Sequence, residues 1–149
     1  MNAKSSNPDL LADQLAAEVA AVLRKREPTS EAWGIKLLEA RLGYARIQMH
    51  VRGDMLNGHA TLHGGIIFAF ADSAFAYACN SANAIAVAAQ ASIIFLTPAR
   101  EGETLIAEAR ELGSAGRSGS YAVHVSTADG RAVADFQGLS RVVGGPIVT

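Results

Sequence analysis

Apolar side chains recur along this chain in two rhythms, and the switches between them mark its elements. Leu11, Leu15, Val19 and Val22 fall on one helical stripe behind the start signal Asn7-Pro8-Asp9. This spacing predicts a surface helix over about residues 9–26, closed off by Pro28. A short apolar segment from Gly34 to Ala40 leads through Leu42-Gly43 into Ala45, Ile47, Met49 and Val51. These alternate with Arg46, Gln48 and His50, the signature of a half-buried strand pair. After a loop from Gly53 to Leu62 the helical rhythm returns, as His63-Gly64-Gly65 opens an almost wholly apolar run that ends near Asn80 to Asn83. Strands are then expected at about Ala84–Thr97, stopped by Pro98, and at Thr104–Leu112, Ser120–Thr127 and Ala132–Val143. A Gly113–Gly119 loop separates the middle two, and Asp129-Gly130 supplies a hairpin turn before the last.

Short connections favour antiparallel pairing. The expected fold is therefore α+β, with one long apolar central helix wrapped by a curved antiparallel sheet of five or six strands and an extra N-terminal helix. Residues 1–33 form a helical extension and residues 34–145 the main domain, with no repeat and no interdomain linker. Composition agrees with one globular unit, since the chain has 149 residues, of which 50% are apolar and 18% charged. A formal net charge of -1 gives no electrostatic footprint for nucleic acid, and Arg24-Lys25-Arg26 reads as a solvated helix end.

Cys79 is the only cysteine, which excludes an internal disulfide and fits a reducing cytoplasm. Set among Phe75, Ala76 and Ala78, its thiol reads as an inert small hydrophobe. Acids at Asp9, Asp13 and Glu18 argue against a secretory signal. The apolar run from Ile66 to Cys79 is 14 residues long and interrupted by Asp72, short of the ~20 residues a bilayer needs. A cytoplasmic protein with no membrane partner is expected.

Within that helix Asp72 is the one charge, and its only polar company between Ile66 and Cys79 is Ser73 and Tyr77. A carboxylate in such a setting is either satisfied by hydrogen bonds or kept for chemistry. Gly64 lies in the first turn, where backbone N–H groups lack intrahelical partners and the helix dipole favours an oxyanion. Asp72 is eight residues further on, so the two lie ~12 Å apart along the axis and one reacting group cannot touch both. Two copies of the helix packed antiparallel about a two-fold axis would bring Gly64 of one near Asp72 of the other, which points to a dimer with shared sites.

Blander readings compete. His63-Gly64-Gly65 alone is also a tight turn with a capping imidazole, and Asn57-Gly58 is an ordinary turn signal. Phe68, Phe70, Phe75 and Tyr77 read as core. His59 and His63 stand four residues apart, but Gly58 and the double glycine put them in a loop and at a helix start, so no metal is expected.

The segments Asn57-Gly58-His59, His63-Gly64-Gly65, Ala71-Asp72 and Ala74–Ser81 belong to a wider pattern. It continues through SIIFLTPAREGETLIAEA, GRSGSYAVHV and VADFQGLSRVVGG. Together they resemble the hotdog-fold acyl-CoA thioesterases of the phenylacetate-degradation type over roughly Gly34 to Gly145. The resemblance implies a hotdog fold, dimers that pair into homotetramers, and hydrolysis of an aryl acyl-CoA such as phenylacetyl-CoA or hydroxyphenylacetyl-CoA to free acid and coenzyme A.

It further implies Asp72 as the catalytic carboxylate, acting as general base on water or as nucleophile through a mixed anhydride. The Gly64 N–H would polarise the thioester carbonyl, with Asn57 and His63 in the same pocket. Gly65, Arg117 and Ser118 would contact substrate, the Gly113–Gly119 loop holding the pantetheine or phosphates of coenzyme A. No cofactor is implied, because coenzyme A is part of substrate and product. Leu62 stands where the family often has a cysteine. A hotdog dehydratase is the alternative enzyme, but its usual Gly-His-Pro and helix Glu are here Gly58-His59-Ala60 and Asp72. A non-catalytic acyl-CoA-binding protein would have no need of the acid.

Overall fold

The apolar run behind His63 forms the axis around which everything else is laid. The computed structural model describes residues 7–149. Its elements in order are α1 (Pro8–Arg26), α2 (Pro28–Ala32), β1 (Lys36–Arg41), β2 (Tyr44–His50), α3 (Gly64–Cys79), β3 (Ala86–Phe95), β4 (Thr104–Ala115), β5 (Ser118–Thr127) and β6 (Ala132–Val142). A single 3-10 turn, Gly53–Met55, interrupts the loop before α3. The part of the 1–33 extension that precedes Asn7 lies outside the described residues.

All pairings are antiparallel, in the order β1-β2-β4-β5-β6-β3, so the six-stranded sheet is curved but unclosed, with β1 and β3 at its edges. Period-two burial drives this arrangement. On β5, Tyr121, Val123, Val125 and Thr127 point inward while His124 faces out, and on β2 Ile47 and Met49 are fully buried. The inner face receives α3, which is buried along Phe70, Ala74, Phe75, Tyr77 and Ala78. Gly138 on β6 lets the Phe75 ring lie directly on the strand, where a Cβ would come within 2.9 Å of it. The same ring meets Tyr121 edge-on, with centroids 5.4 Å apart.

Two local expectations change. Pro28 does not merely end the first helix: α1 stops at Arg26 and Pro28 opens α2, at a position where its missing N–H costs nothing. The Gly113–Gly119 segment is not a loop. β4 runs on to Ala115 and β5 starts at Ser118, pairing Gly113 with Ser120 and Ser114 with Gly119 after a bulge between Glu111 and Gly113. The turn is Gly116-Arg117 alone, with Gly116 at φ +59°. Glycine and serine lack the side chains that mark a strand, yet their backbone pairs as well as any other.

The N-terminal helix is less superficial than its stripe implied. Leu11 is exposed, whereas Ala16, Val19 and Ala20 are buried, and Ala20, Leu23, Trp33 and Ile35 join or pack on the same core as α3. No helix among the described residues is long and apolar enough to cross a membrane.

Candidate active site

The start of α3 is built by His63. Its extended backbone (φ -60°, ψ 132°) makes it the N-cap, and its Nδ1 accepts the Gly65 N–H at 2.9 Å. An accepting Nδ1 leaves Nε2 as the N–H of the ring. The His63 carbonyl accepts the N–H groups of Ile66 and Ile67. Of this first turn only the Gly64 N–H finds no acceptor among the described residues. His63 is thus the capping imidazole: its ring takes the Gly65 N–H, and the Gly64 N–H is the donor on offer.

Gly64 borders a cleft of about 280 Å³ whose walls include Asn57, Thr61, Leu62, Phe95 and Pro98. The Phe95 ring lies against it, so close that a Cβ on Gly64 would sit 3.1 Å from the ring tip. Asn57 is the staple of the preceding loop. Its Oδ1 accepts from the N–H groups of His59 (2.9 Å) and Thr61 (3.2 Å), while its Nδ2 donates to Thr61 Oγ1 at 3.0 Å. That leaves one amide N–H of Asn57 for whatever occupies the cleft. Sequence reasoning missed Thr61 and Phe95; the first stands within one turn of Asn57, but the second comes from β3 with no local signal.

Asp72 does not line this cleft. Because α3 is unbroken between Gly64 and Asp72, the ~12 Å separation along its axis stands. The carboxylate lies half-buried on the one face of α3 not packed on the sheet, with Gly65, Ala69 and Ala76. Burial, and then the like charge of Glu27, raise its pKa above the ordinary aspartate value. A half-desolvated carboxylate is a better proton acceptor than one in water, which is the property a general base needs.

Arg117 and Ser118 sit elsewhere. They border a separate hollow of about 160 Å³ with Cys79, Glu111, Tyr121 and Ser140, at the C-terminal end of α3. Sixteen helical residues put that end ~24 Å from Gly64. Arg117 is exposed, and Arg141 reaches Ser118 Oγ at 3.5 Å, adding a second cation that sequence reasoning did not place there. Burial, then Asp72, push the Cys79 thiol up to about 12, so it is no nucleophile at neutral pH. His59 is exposed in its turn, and no group of three or more His, Cys, Asp or Glu side chains among the described residues is placed to hold a metal.

One further group missed from sequence adjoins Asp72. Glu27, between α1 and α2, accepts hydrogen bonds from Ser73 (3.1 Å), Tyr77 (2.8 Å) and Ser30 (2.6 Å). Its partners on α3 lie 46 and 50 residues away, beyond any local pattern.

Comparison with known proteins bears on this geometry. Residues 59–134 match the thioesterase superfamily. The acyl-coenzyme A thioesterase PaaI of Escherichia coli strain K12 is 38% identical over 128 residues, which cover 86% of this chain and 91% of that protein. The structure of the E. coli PaaI protein from the phenylacetic acid degradation operon superposes with a TM-score of 0.90 at 36% identity, covering 92% of this chain and 99% of that one. A mutant structure of the phenylacetic acid degradation protein PaaI from Thermus thermophilus gives a TM-score of 0.75 at 37% identity, over 78% of this chain and 100% of that one.

Proposed function

This chain belongs to the thioesterase superfamily, with its hotdog fold, and is a thioester hydrolase; from that premise we propose that it hydrolyses an aryl acyl-CoA of the phenylacetyl or hydroxyphenylacetyl type to free acid and coenzyme A. The observation that carries this reading is the Gly64 N–H at the head of α3, without an acceptor among the described residues, on the same helix as a half-buried Asp72 two turns on.

In the proposed reaction the thioester carbonyl oxygen accepts the Gly64 N–H, with the dipole of α3 adding to its pull. Water attacks the carbonyl carbon, its proton passes to Asp72, and collapse of the tetrahedral intermediate breaks the C–S bond. The proton held by Asp72 then goes to the departing sulfur. Asp72 attacking directly, through a mixed anhydride, needs the same oxyanion donor and is the second route to the same products. Asn57 orients the water or the thioester through its spare amide N–H, while His63 acts by holding the turn.

The ~12 Å between Gly64 and Asp72 is met by a homodimer whose two sites each take Gly64 from one copy and Asp72 from the other. Antiparallel α3 helices would also carry the Arg117 end of one subunit toward the Gly64 cleft of its partner. There Arg117, Ser118 and Gly65 would hold the pantetheine and phosphates of coenzyme A. The exposed apolar side chains of edge strand β3 and the residue after it, Val87, Ile94, Phe95 and Leu96, support association, which we extend to a homotetramer. No cofactor enters the reaction, and a coenzyme A thioester suits a cytoplasmic enzyme.

The test is thiol release from a panel of aryl and aliphatic acyl-CoA thioesters by the natural protein and by folded Asp72→Asn. Loss of about a thousandfold in turnover in the variant, with aryl substrates leading the panel, is the expected result. Release from no thioester, or full turnover in the variant, would overturn the assignment.

A further inference from the structure

The N-terminal segment reaches the catalytic helix through one buried cluster. Glu27 is half-buried where α1 passes into α2, and both its carboxylate oxygens are engaged. Oε1 shares the Ser73 hydroxyl with the Ala69 carbonyl of the preceding turn (3.1 and 3.0 Å), and Oε2 takes the hydroxyls of Tyr77 and Ser30. Those three residues are at most 5% exposed, so the cluster lies in a medium where hydrogen bonds are strong and an unmatched charge reaches far. Among the described residues no cation stands within ion-pair distance of Glu27, and the nearby Arg24 is paired with Glu31. Neutral hydroxyls therefore hold this charge without cancelling it. Ser73 is the residue after Asp72, and Tyr77 is one turn further along the same helix.

We infer that Glu27 is a positioning residue for thioester hydrolysis: through Ser73 and Tyr77 it fixes the rotation of α3 that presents Asp72, and it places a second carboxylate beside that one. The consequence for turnover rests on the reading of Asp72 as the catalytic group; the coupling between the two acids does not. Two carboxylates near one another repel, and Asp72, which receives no hydrogen bond from a donor among the described residues, is the one whose proton affinity rises. The direction of the shift at Asp72 agrees, with burial its larger cause and Glu27 the second.

The other titratable groups around Asp72 do not replace this effect. On α3 they are Tyr77 and Cys79, both raised chiefly by burial and uncharged at neutral pH. The sheet presents Tyr121 to α3 against Phe75, and its phenol is pushed up to about 12 by burial and then Glu111. Other sheet side chains facing the helix, such as Ala45, Ile47, Ala107 and Val123, carry no charge. From the N-terminal segment there is Arg24, whose positive charge acts on Tyr77 and opposes that of Glu27 there.

The experiment follows the Asp72 carboxyl by its carbon chemical shift against pH, in protein labelled at the aspartate carboxyls and assigned with Asp72→Asn. In Glu27→Gln, which keeps the shape and removes the charge, the Asp72 midpoint should fall by about half a unit or more. The acid limb of kcat/KM for a thioester should move down with it, KM changing less than about twofold, and Glu27→Asp should restore most of the shift. A merely structural role would lower stability and leave the midpoint in place.

If Glu27→Gln does not fold, the triple variant Glu27→Met, Ser30→Ala, Tyr77→Phe replaces the polar cluster by apolar side chains and is read in the same way. An Asp72 midpoint unmoved in either folded variant overturns the inference. A natural protein that hydrolyses no thioester would defeat the proposed function alone, because the titration is read without turnover.

Discussion

Asp72 is carried at the expense of folding. Its pKa in the native state lies above the unfolded value, first because it is buried and then because Glu27 is near. The native protein therefore holds this proton more tightly than the unfolded chain does. Stability is lost as pH rises from the ordinary aspartate value of 3.8 through the raised native one, and the loss is complete above it. Asp72→Asn, which cannot ionise, should melt at a higher temperature than the natural protein at pH 7. The difference should close below pH ~3.8, where both side chains are uncharged. Melting curves across that range check this, and equal melting temperatures at pH 7 would contradict it. Asp72 was legible in the sequence because nothing else in its helix is charged, and the inertness of Cys79 followed from the same apolar surroundings. Glu27 was not legible, since an acid after a run of basic residues at a helix end looks like solvated surface, and only folding brings Ser73 and Tyr77 to it.

Elements were legible where side chains declare a period, and misread where they do not. α3, β2, β5 and β6 carry strong helical or alternating patterns, and each appears close to its expected place. The strand extensions around Gly116-Arg117 were missed because Gly113, Ser114, Gly119 and Ser120 advertise a loop while their backbones pair. α2 was missed because a proline was taken only as a stop. How tightly α3 seats on the sheet is likewise absent from any pattern, for it rests on Gly138 lying under Phe75. A Cβ there would come within 2.9 Å of a ring that is 1% exposed and wedged against Tyr121 and Phe136. Gly138→Val should thus destabilise the fold by about 1–3 kcal/mol, through overpacking rather than backbone strain. At this chain length that is roughly 3–10 °C in Tm. Pairing it with Phe75→Leu should recover part of the loss; no loss in the single variant would mean that the helix can lift off β6 freely.

At the scale of the whole molecule, the proposed mechanism calls for a second subunit through the spacing along α3 more strongly than the surface does. Exposed apolar residues on β3 are compatible with several partners, but if Gly64 is the oxyanion donor and Asp72 the acid, their ~12 Å separation along the axis of α3 gives one chain two half-sites. Mixing two inactive variants separates these possibilities. Gly64→Val fills the cleft against Phe95, and Asp72→Asn removes the acid, so neither protein alone should turn over. If each site draws Gly64 from one copy and Asp72 from the other, a hybrid dimer holds one intact site and one doubly damaged site. Random exchange makes about half the dimers hybrids, so the mixture should recover about a quarter of natural activity.

A site contained in one chain would recover none. The complementary experiment places lysines at Ala89 and Gln90, both exposed midway along edge strand β3. In an isolated subunit these side chains stay in water. Where two β3 strands pair about a two-fold axis, the centres of the strands face their own copies and the new charges oppose one another. The double variant should therefore sediment as a folded monomer and lose about a hundredfold or more in turnover. A monomer with full activity would refute the shared site whatever the mixing experiment gave.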